Sequence, residues 1–157
     1  MIYISKDEKI CLKGHYKFTL RNAITGVVEK IIEVDNLIPT VGRTMIANNL
    51  TNASPTNVMK ITHTALGTGA VAPANGDTQL GTETYRNAIA SITNANNIAY
   101  ATGFFSASEC SGTYTEAGIF SNGTGSANSG VLLSRVAVSI TKTTSQTLTI
   151  DWTLTIS

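Results

Sequence analysis

The sequence LTIDWTLTI, residues 148–156, decides the fold class of this chain. Large apolar residues alternate there with Thr and Asp over the whole stretch. Successive side chains of a β-strand point to opposite faces, so this alternation predicts a strand with one face on a core. Another apolar run, residues 131–140, precedes it across a short polar connection. The two runs together predict an antiparallel strand pair at this end of the chain.

The same alternation recurs further upstream. Residues 14–22 place Tyr16, Phe18 and Leu20 on one face, and a glycine-containing turn then leads into a second apolar run, which predicts a β-hairpin. In total about eight strands are expected, with turn signals between them, which predicts an all-β antiparallel β-sandwich of jelly-roll or immunoglobulin-like kind. The pattern does not choose between these two topologies. Besides the two strands already described, the predicted strands are residues 14–22, 27–34, 58–66, 84–93, 97–105 and 114–120.

One segment, LIPTVGRTMIANNLTN at residues 37–52, has the spacing of a short helix instead. Thr40 follows Pro39 and is placed to cap the helix. A helix of about ten residues is expected to cover an open sheet edge or one end of the sandwich. The apolar residues that fall on one side at helical spacing are Val41, Met45, Ile46 and Leu50.

The length of 157 residues predicts one domain. We divide it into a short N-terminal arm, residues 1–13, and a β-sandwich domain, residues 14–157. The arm contains the charged cluster SKDEK, which does not suit a signal peptide, and no run approaches ~18 apolar residues, so we expect a protein of the cytoplasm without a membrane partner. Cys11 and Cys110 are predicted to be buried free thiols rather than a disulfide.

The composition argues for a neutral, hydroxyl-rich surface. Charged residues are 13% of the chain, while Thr alone contributes 24 residues. Thr has a branched Cβ that suits a pleated sheet, and its hydroxyl keeps an exposed face soluble without charge. A net charge of +1 without a Lys/Arg cluster gives no field for phosphates, so we expect no nucleic-acid partner. Such neutral, flat sheet faces suit a protein that assembles permanently with other subunits.

Residues with catalytic or metal-binding potential are few. His15 and His63 lie in strand-like runs and have no second His or Cys at a metal-ligand spacing. The glycine pattern that starts at Gly67 is not a phosphate-binding motif, because Ala72 occupies the position of the third glycine. No nucleophile motif is present either. We therefore predict no catalytic residue, no cofactor-binding residue and no metal ligand, and a protein that is not an enzyme.

Residues 61–86, ITHTALGTGAVAPANGDTQLGTETYR, form a strand that breaks into a shaped loop and returns into another strand. The glycines are expected to supply positive φ, and the proline sets one φ near −65°. The residues of interest in this stretch are Gly67, Gly69, Pro73, Gly76, Asp77, Gly81 and Glu83.

Glu116 lies in TEAGIF, among residues that are predicted to be in the core. A buried carboxylate is costly unless it is paired, so we predict a structural ion pair between Glu116 and either Arg86 or Arg135. The alternative is that the carboxylates of Asp77, Glu83 and Glu116 hold a divalent cation. The ion pair is favoured because both arginines lie in otherwise apolar strands.

Three stretches resemble a family of small bacteriophage virion proteins: the LGTG..AP...DT.LG.E..R line at residues 66–86, TEAGIF, and the C-terminal strand pair. The resemblance implies a structural gene product of the tail, fibre, collar or head-decoration kind. Because the chain has no elongated shaft, we expect a capsid decoration or a collar or tail-attached subunit. Its expected location is the virion, and its expected partners are other copies of itself in a trimer or ring and other virion proteins.

Two other classes of protein remain as alternatives. A host-surface binding module of a phage tail, for carbohydrate or a receptor, would need exposed aromatic residues, and Tyr114 is the one aromatic residue that the pattern places near a loop. An unrecognised enzyme would need a catalytic cluster assembled from distant loops.

Overall fold

The structure is a computed structural model that describes residues 10–51 and 59–157. Most of the predicted arm, residues 1–13, lies outside the described part, and its last two residues belong to the first strand. In chain order the elements are β1 (Leu12–Asn22), β2 (Val28–Asn36), α1 (Thr40–Thr51), β3 (Ile61–Gly67), β4 (Glu83–Ala88), β5 (Ser91–Ala95), β6 (Ile98–Phe105), β7 (Gly112–Ser121), β8 (Val131–Lys142) and β9 (Gln146–Ile156).

The strands form two antiparallel sheets. Sheet A has five strands in the order β2-β1-β9-β6-β5, and sheet B has four strands in the order β4-β3-β7-β8. The predicted hairpin near the start of the chain is confirmed, since β1 pairs with β2. The predicted antiparallel pair of residues 131–140 and 148–156 is wrong, because β8 belongs to sheet B while β9 belongs to sheet A and pairs there with β1 and β6. The short connection between them crosses from one sheet to the other instead of closing a hairpin. The predicted all-β antiparallel sandwich with one short helix is confirmed.

The ninth strand comes from a segment that we predicted as one strand, residues 84–93. That prediction is wrong, because the chain changes sheets in the middle of it. The backbone N–H of Ile89 donates to Thr62 of sheet B at 2.8 Å, and that of Ala90 donates to Thr102 of sheet A at 2.8 Å. On the opposite side of the sandwich, Leu37 and Arg135 exchange two backbone hydrogen bonds of 3.0 and 3.1 Å. Both sides are thus corners where the two sheets are joined.

The main core lies between the inner faces of the two sheets. Leu148, Ile150, Trp152 and Leu154 of β9 are buried in alternation, as predicted, with Trp152 fully enclosed. The prediction is wrong at Ile156, which is exposed at the end of the strand. The indole N–H of Trp152 donates to the hydroxyl of Ser134 on β8 at 3.2 Å, which links the two sheets. The rings of Tyr16 and Phe18 stack with centroids 5.4 Å apart. Burial of such large rings supplies much of the stability of a small domain.

Helix α1 packs against β8, the edge strand of sheet B, which is the covering role expected for it. Gly42 permits the close approach, since a Cβ there would lie 2.8 Å from the carbonyl oxygen of Leu133. The predicted apolar side is wrong at Leu50, which is exposed. The hydroxyl of Thr40 accepts from the side chain of Arg43 at 3.0 Å. Within the described residues, no helix is long and apolar enough to cross a membrane.

Candidate functional site

A second, smaller apolar cluster lies on the face of sheet B that points away from the main core. Two connections cross this face: the motif loop, residues 68–82 between β3 and β4, and the β7–β8 loop, residues 122–130. The charged residues predicted from the sequence lie between the sheet and these two loops. The members of the small cluster are Ala65, Leu80, Phe120 and Leu132, with Val41 of α1 packed against them.

Glu116 of β7 holds the two ends of the motif loop. Its side chain is 1% exposed, and the carboxylate accepts three backbone N–H groups: Gly69 at 3.0 Å, Gly81 at 2.9 Å and Thr82 at 2.7 Å. It also accepts Nε and Nη2 of Arg135 at 3.0 and 2.8 Å. Five donors therefore satisfy both oxygens of a carboxylate that has lost its water.

Arg135 of β8 extends the same network into the middle of the loop. Its Nη1 donates to Oδ2 of Asp77 at 2.6 Å, and its Nη2 donates to the carbonyl oxygen of Val71 at 3.0 Å. Asp77 in turn accepts the backbone N–H of Ala74 at 2.7 Å. One glutamate and one arginine from adjacent strands thus bind the beginning, the middle and the end of the motif loop.

The glycines of the motif have a different role from the one we predicted. None of Gly67, Gly69, Gly76 and Gly81 has a positive φ. A Cβ at Gly69 would collide with Oε1 of Glu116, and a Cβ at Gly67 would lie 2.6 Å from the same atom. Two of the glycines are therefore needed for close approach to the buried carboxylate. Gly76 has no atom within 4 Å of the same position, and Pro73 is half-buried in the loop.

The electrostatics of this network favour the ionised forms. Burial by itself raises the pKa of Glu116, but hydrogen bonds from Thr82, Gly81 and Arg135 outweigh it and hold the pKa below its usual value. Burial also opposes the charge on Arg135, yet the carboxylates of Asp77 and Glu116 raise the pKa of the guanidinium. The pKa of Asp77 is lowered in the same way, against its own burial, by the N–H of Ala74 and by Arg135.

A second ion pair holds the β7–β8 loop. Arg86 of β4 binds Glu83 of the same strand, with Nε to Oε1 at 2.6 Å and Nη2 to Oε2 at 2.9 Å. Nη1 of Arg86 donates to the carbonyl oxygens of Thr124 and Ser129 at 3.0 and 2.9 Å. The backbone N–H of Asn128 donates to Glu83 at 2.9 Å. Of the two arginines considered for Glu116, the structure pairs Arg135 with it and places Arg86 elsewhere.

The carboxylates considered for a divalent cation are all bound to arginine. The closest arginine nitrogen is 2.6 Å from Asp77, 2.6 Å from Glu83 and 2.8 Å from Glu116. Among residues 10–51 and 59–157, no group of three or more His, Cys, Asp and Glu side chains could hold a metal ion. The arrangement is chemically a pair of loop anchors: charge-assisted hydrogen bonds that hold two connections against one face of a sheet.

The remaining titratable residues lie away from this network or at its rim. His15 is on sheet A, where Nδ1 lies 2.8 Å from Asp35, and His63 is on β3. Cys11 and Cys110 are both free, but Cys11 is exposed, so its predicted burial is wrong. Burial raises the pKa of the Cys110 thiol to about 12, which keeps it protonated.

The sequence also misplaced the exposed aromatic residues. Tyr114 is buried in β7, so it is not the loop residue that we predicted. Instead, Tyr100 and Phe104 of β6 are 37% and 43% exposed on the outer face of sheet A. The signal for this was present, because Tyr100, Thr102 and Phe104 alternate with buried residues of the same strand.

Comparisons with known proteins give no counterpart for this arrangement. No protein-family model matches the chain, and no curated protein and no solved structure matches it either.

Proposed function

We propose that this chain is a non-enzymatic structural protein of a bacteriophage virion, a capsid decoration or a collar or tail-attached subunit that acts by assembly. It is made in the host cytoplasm and then becomes part of the virion. Its partners are other copies of itself, in a trimer or ring, and other virion proteins. The sequence motif at residues 66–86 supports the family. The edge strand β5, which pairs only with β6 among the described residues, supports assembly.

The proposal rests mainly on the exposed, uncharged edge strand β5. Edge strands have unpaired backbone groups, and soluble proteins protect them with charged residues or cover. At the opposite edge of sheet A, β2 has such protection in Glu29, Lys30, Glu33 and Asp35. Strand β5, with the sequence SITNA, has no charged residue and no proline, and all five of its residues are exposed. Such an edge fits the addition of a strand from a partner.

The motif residues support a structural role rather than a reaction. Asp77, Glu83, Arg86, Glu116 and Arg135 use their polar atoms on one another and on the loop backbones. A catalytic acid or base needs an accessible proton position within reach of a substrate. Carboxylates whose oxygens are filled by backbone N–H groups and guanidinium groups suit a rigid loop that keeps its shape in an assembly.

Sedimentation velocity of the purified protein, alone and with virion particles that lack it, tests the proposal. We expect a trimer or larger ring, or binding to the particles. The substitution Ile92→Lys places a charge on β5 and is expected to abolish association. Its matched control is Ile31→Lys on β2, since the two isoleucines are 48% and 50% exposed on opposite edges of sheet A. A monomer that binds no such particle would overturn the proposal.

A further inference from the structure

The outer face of sheet A contains a depression of about 290 Å³. Side chains of four neighbouring strands line it, so it rests on paired strands of the sheet rather than on loops. Its volume is just below the range for small-molecule sites, which is roughly 300–1,000 Å³, and therefore suits a ligand of a single ring. The outward-facing residues are Glu33 of β2, His15 and Lys17 of β1, Asp151 and Thr153 of β9, and Tyr100 and Thr102 of β6.

The strand register orders these side chains into two adjacent rows. In the first row Lys17 lies between Glu33 and Asp151, and Asp151 is also the partner of Thr102. In the second row Thr153 lies between His15 and Tyr100. Paired strands are ~4.8 Å apart, and alternate residues along a strand are ~7 Å apart. The two rows therefore span about 10 to 14 Å across the strands and ~7 Å along them, which gives room for one six-membered sugar ring.

Several polar atoms in this depression have unused hydrogen-bonding capacity. Oδ1 of Asp151 accepts the hydroxyl of Thr102 at 2.8 Å, while Oδ2 has no donor among the described residues. Nζ of Lys17 lies 4.0 Å from Glu33, too far for a hydrogen bond, and no acceptor for its N–H groups occurs in residues 10–51 and 59–157. Nδ1 of His15 is bound to Asp35, which leaves Nε2 for a ligand. Donors and acceptors thus lie side by side in the same depression as the exposed Tyr100.

We propose that this depression binds a saccharide unit. Adjacent sugar hydroxyls both donate and accept, so they can bind a carboxylate and an ammonium group together, as Asp151 and Lys17 are placed to do. The C–H face of a sugar ring is apolar and suits the ring of Tyr100. A phosphate or carboxylate ligand is disfavoured, because the lining has two carboxylates, Glu33 and Asp151, against one lysine. An apolar ligand would leave these charged groups desolvated.

This site is independent of the assembly proposal. Strand addition at β5 extends sheet A sideways and leaves its outer face open to solvent. The ligand is a sugar on a surface glycan or a free sugar, since both present the same ring. A protein with this site could attach a virion surface to a glycan while its edge holds a neighbouring subunit.

NMR titration of the ¹⁵N-labelled protein tests the inference, with glucose, galactose, mannose, rhamnose and N-acetylglucosamine as probes and inorganic phosphate as the contrasting ligand. We expect at least one sugar to shift the amide signals around Tyr100 and Asp151. The substitutions Tyr100→Ala and Asp151→Asn should each weaken that binding by about tenfold or more, as central contact residues do. The matched control is Phe104→Ala, which changes an exposed aromatic residue of the same strand and face outside the depression.

The amide spectrum of each variant shows whether it is folded, and Lys17→Met serves as a further variant if one of the others is not. A polymer of the sugar that binds, tested beside the free sugar, then shows whether the site takes a glycan chain. No shift with any of the sugars would overturn the inference. So would shifts that persist unchanged in the Tyr100 and Asp151 variants, or shifts caused by phosphate alone.

Discussion

Removing the charge of Glu116 by Glu116→Gln is the sharpest test of the loop anchor. The glutamine keeps the size of the side chain but replaces one carboxylate oxygen with an NH₂ group. Both oxygens of Glu116 now face donors, since Oε1 accepts Gly69 and Thr82 while Oε2 accepts Gly81 and Arg135. Either orientation of the amide therefore places N–H groups against N–H groups. The buried guanidinium of Arg135 also loses one of its two carboxylate partners and keeps only Asp77.

Breaking a buried pair by removing one partner costs about 3 to 5 kcal/mol. We expect about 3 kcal/mol for Glu116→Gln, since one acceptor oxygen remains, and a similar loss for Arg135→Met, which leaves three backbone donors on Glu116. Because native domains have about 5 to 15 kcal/mol of stability, both variants should still fold. The double variant should lose less than the sum, with a coupling above about 1 kcal/mol.

Urea unfolding of the four proteins measures this coupling. The matched control is the cycle of Glu116→Gln with Arg86→Met, because Arg86 is bound to Glu83 and not to Glu116. That cycle should be additive to within about 0.5 kcal/mol. Additive losses in the Arg135 cycle, or a coupling that appears with Arg86 instead, would refute the pairing.

The pH dependence of stability gives a second measure of the same residue. The pKa of Glu116 is lower in the folded protein than its usual value of 4.5. Its stabilising contribution is therefore complete above about pH 4.5 and is lost as the pH falls through the folded pKa. Glu116→Gln should reduce the loss of unfolding free energy on acidification, as measured by urea melts at a series of pH values. An unchanged slope would contradict the lowered pKa.

The other predictions concern the loops and the core. Gly69→Ala should cost about 2 to 3 kcal/mol in urea melts because its Cβ displaces the Glu116 carboxylate, whereas Gly76→Ala, with open space around it, should stay within about 0.5 kcal/mol. Equal effects would remove the close-approach explanation. Trp152→Ala should cost about 3 to 5 kcal/mol, and a loss below about 1 kcal/mol would mean that the ring is not enclosed. Arg86→Met should speed hydrogen exchange at the amide of Asn128 by about tenfold or more and leave that of Trp152 unchanged; equal protection in both proteins would show that the β7–β8 loop does not depend on Arg86.

Alternation predicted the strands well wherever one face of a strand is in the core. The segment at residues 84–93 was different, because its two halves are both strand-like and no glycine or proline marks the break between them. Ile89 and Ala90 turn the chain from sheet B to sheet A through bonds to Thr62 and Thr102. Those partners are distant in sequence, so local pattern contains no sign of the corner. The predicted burial of Leu50 was wrong for a related reason, because helical spacing does not say how far the neighbouring strand extends.

The sequence predicted that Glu116 needs a charged partner but not which arginine supplies it. A carboxylate in TEAGIF needed a partner, and two arginines were available. The choice follows from register, since Gly118 of β7 lies opposite Arg135 of β8 while Arg86 is placed over the ring of Phe120, 4.3 Å from its centroid. The depression on sheet A could not be foreseen at all. It needs the register of four strands, and residues such as Lys17 and Asp151 become neighbours only after those strands pair.

The central position of β9 in sheet A delays formation of that sheet until the end of synthesis. Hairpins β1–β2 and β5–β6 leave the ribosome early, but they pair with each other only through β9, which is synthesised after all the other described strands. Until then, the inward-facing rings of Tyr16 and Phe105 have no complete sheet to hold them. Long-range pairing of this kind is slow to form and leaves apolar surface open to aggregation. A chain that ends before residue 146 would therefore contain all four strands of sheet B but two hairpins of sheet A with no strand between them, a substrate for chaperones rather than a smaller sandwich.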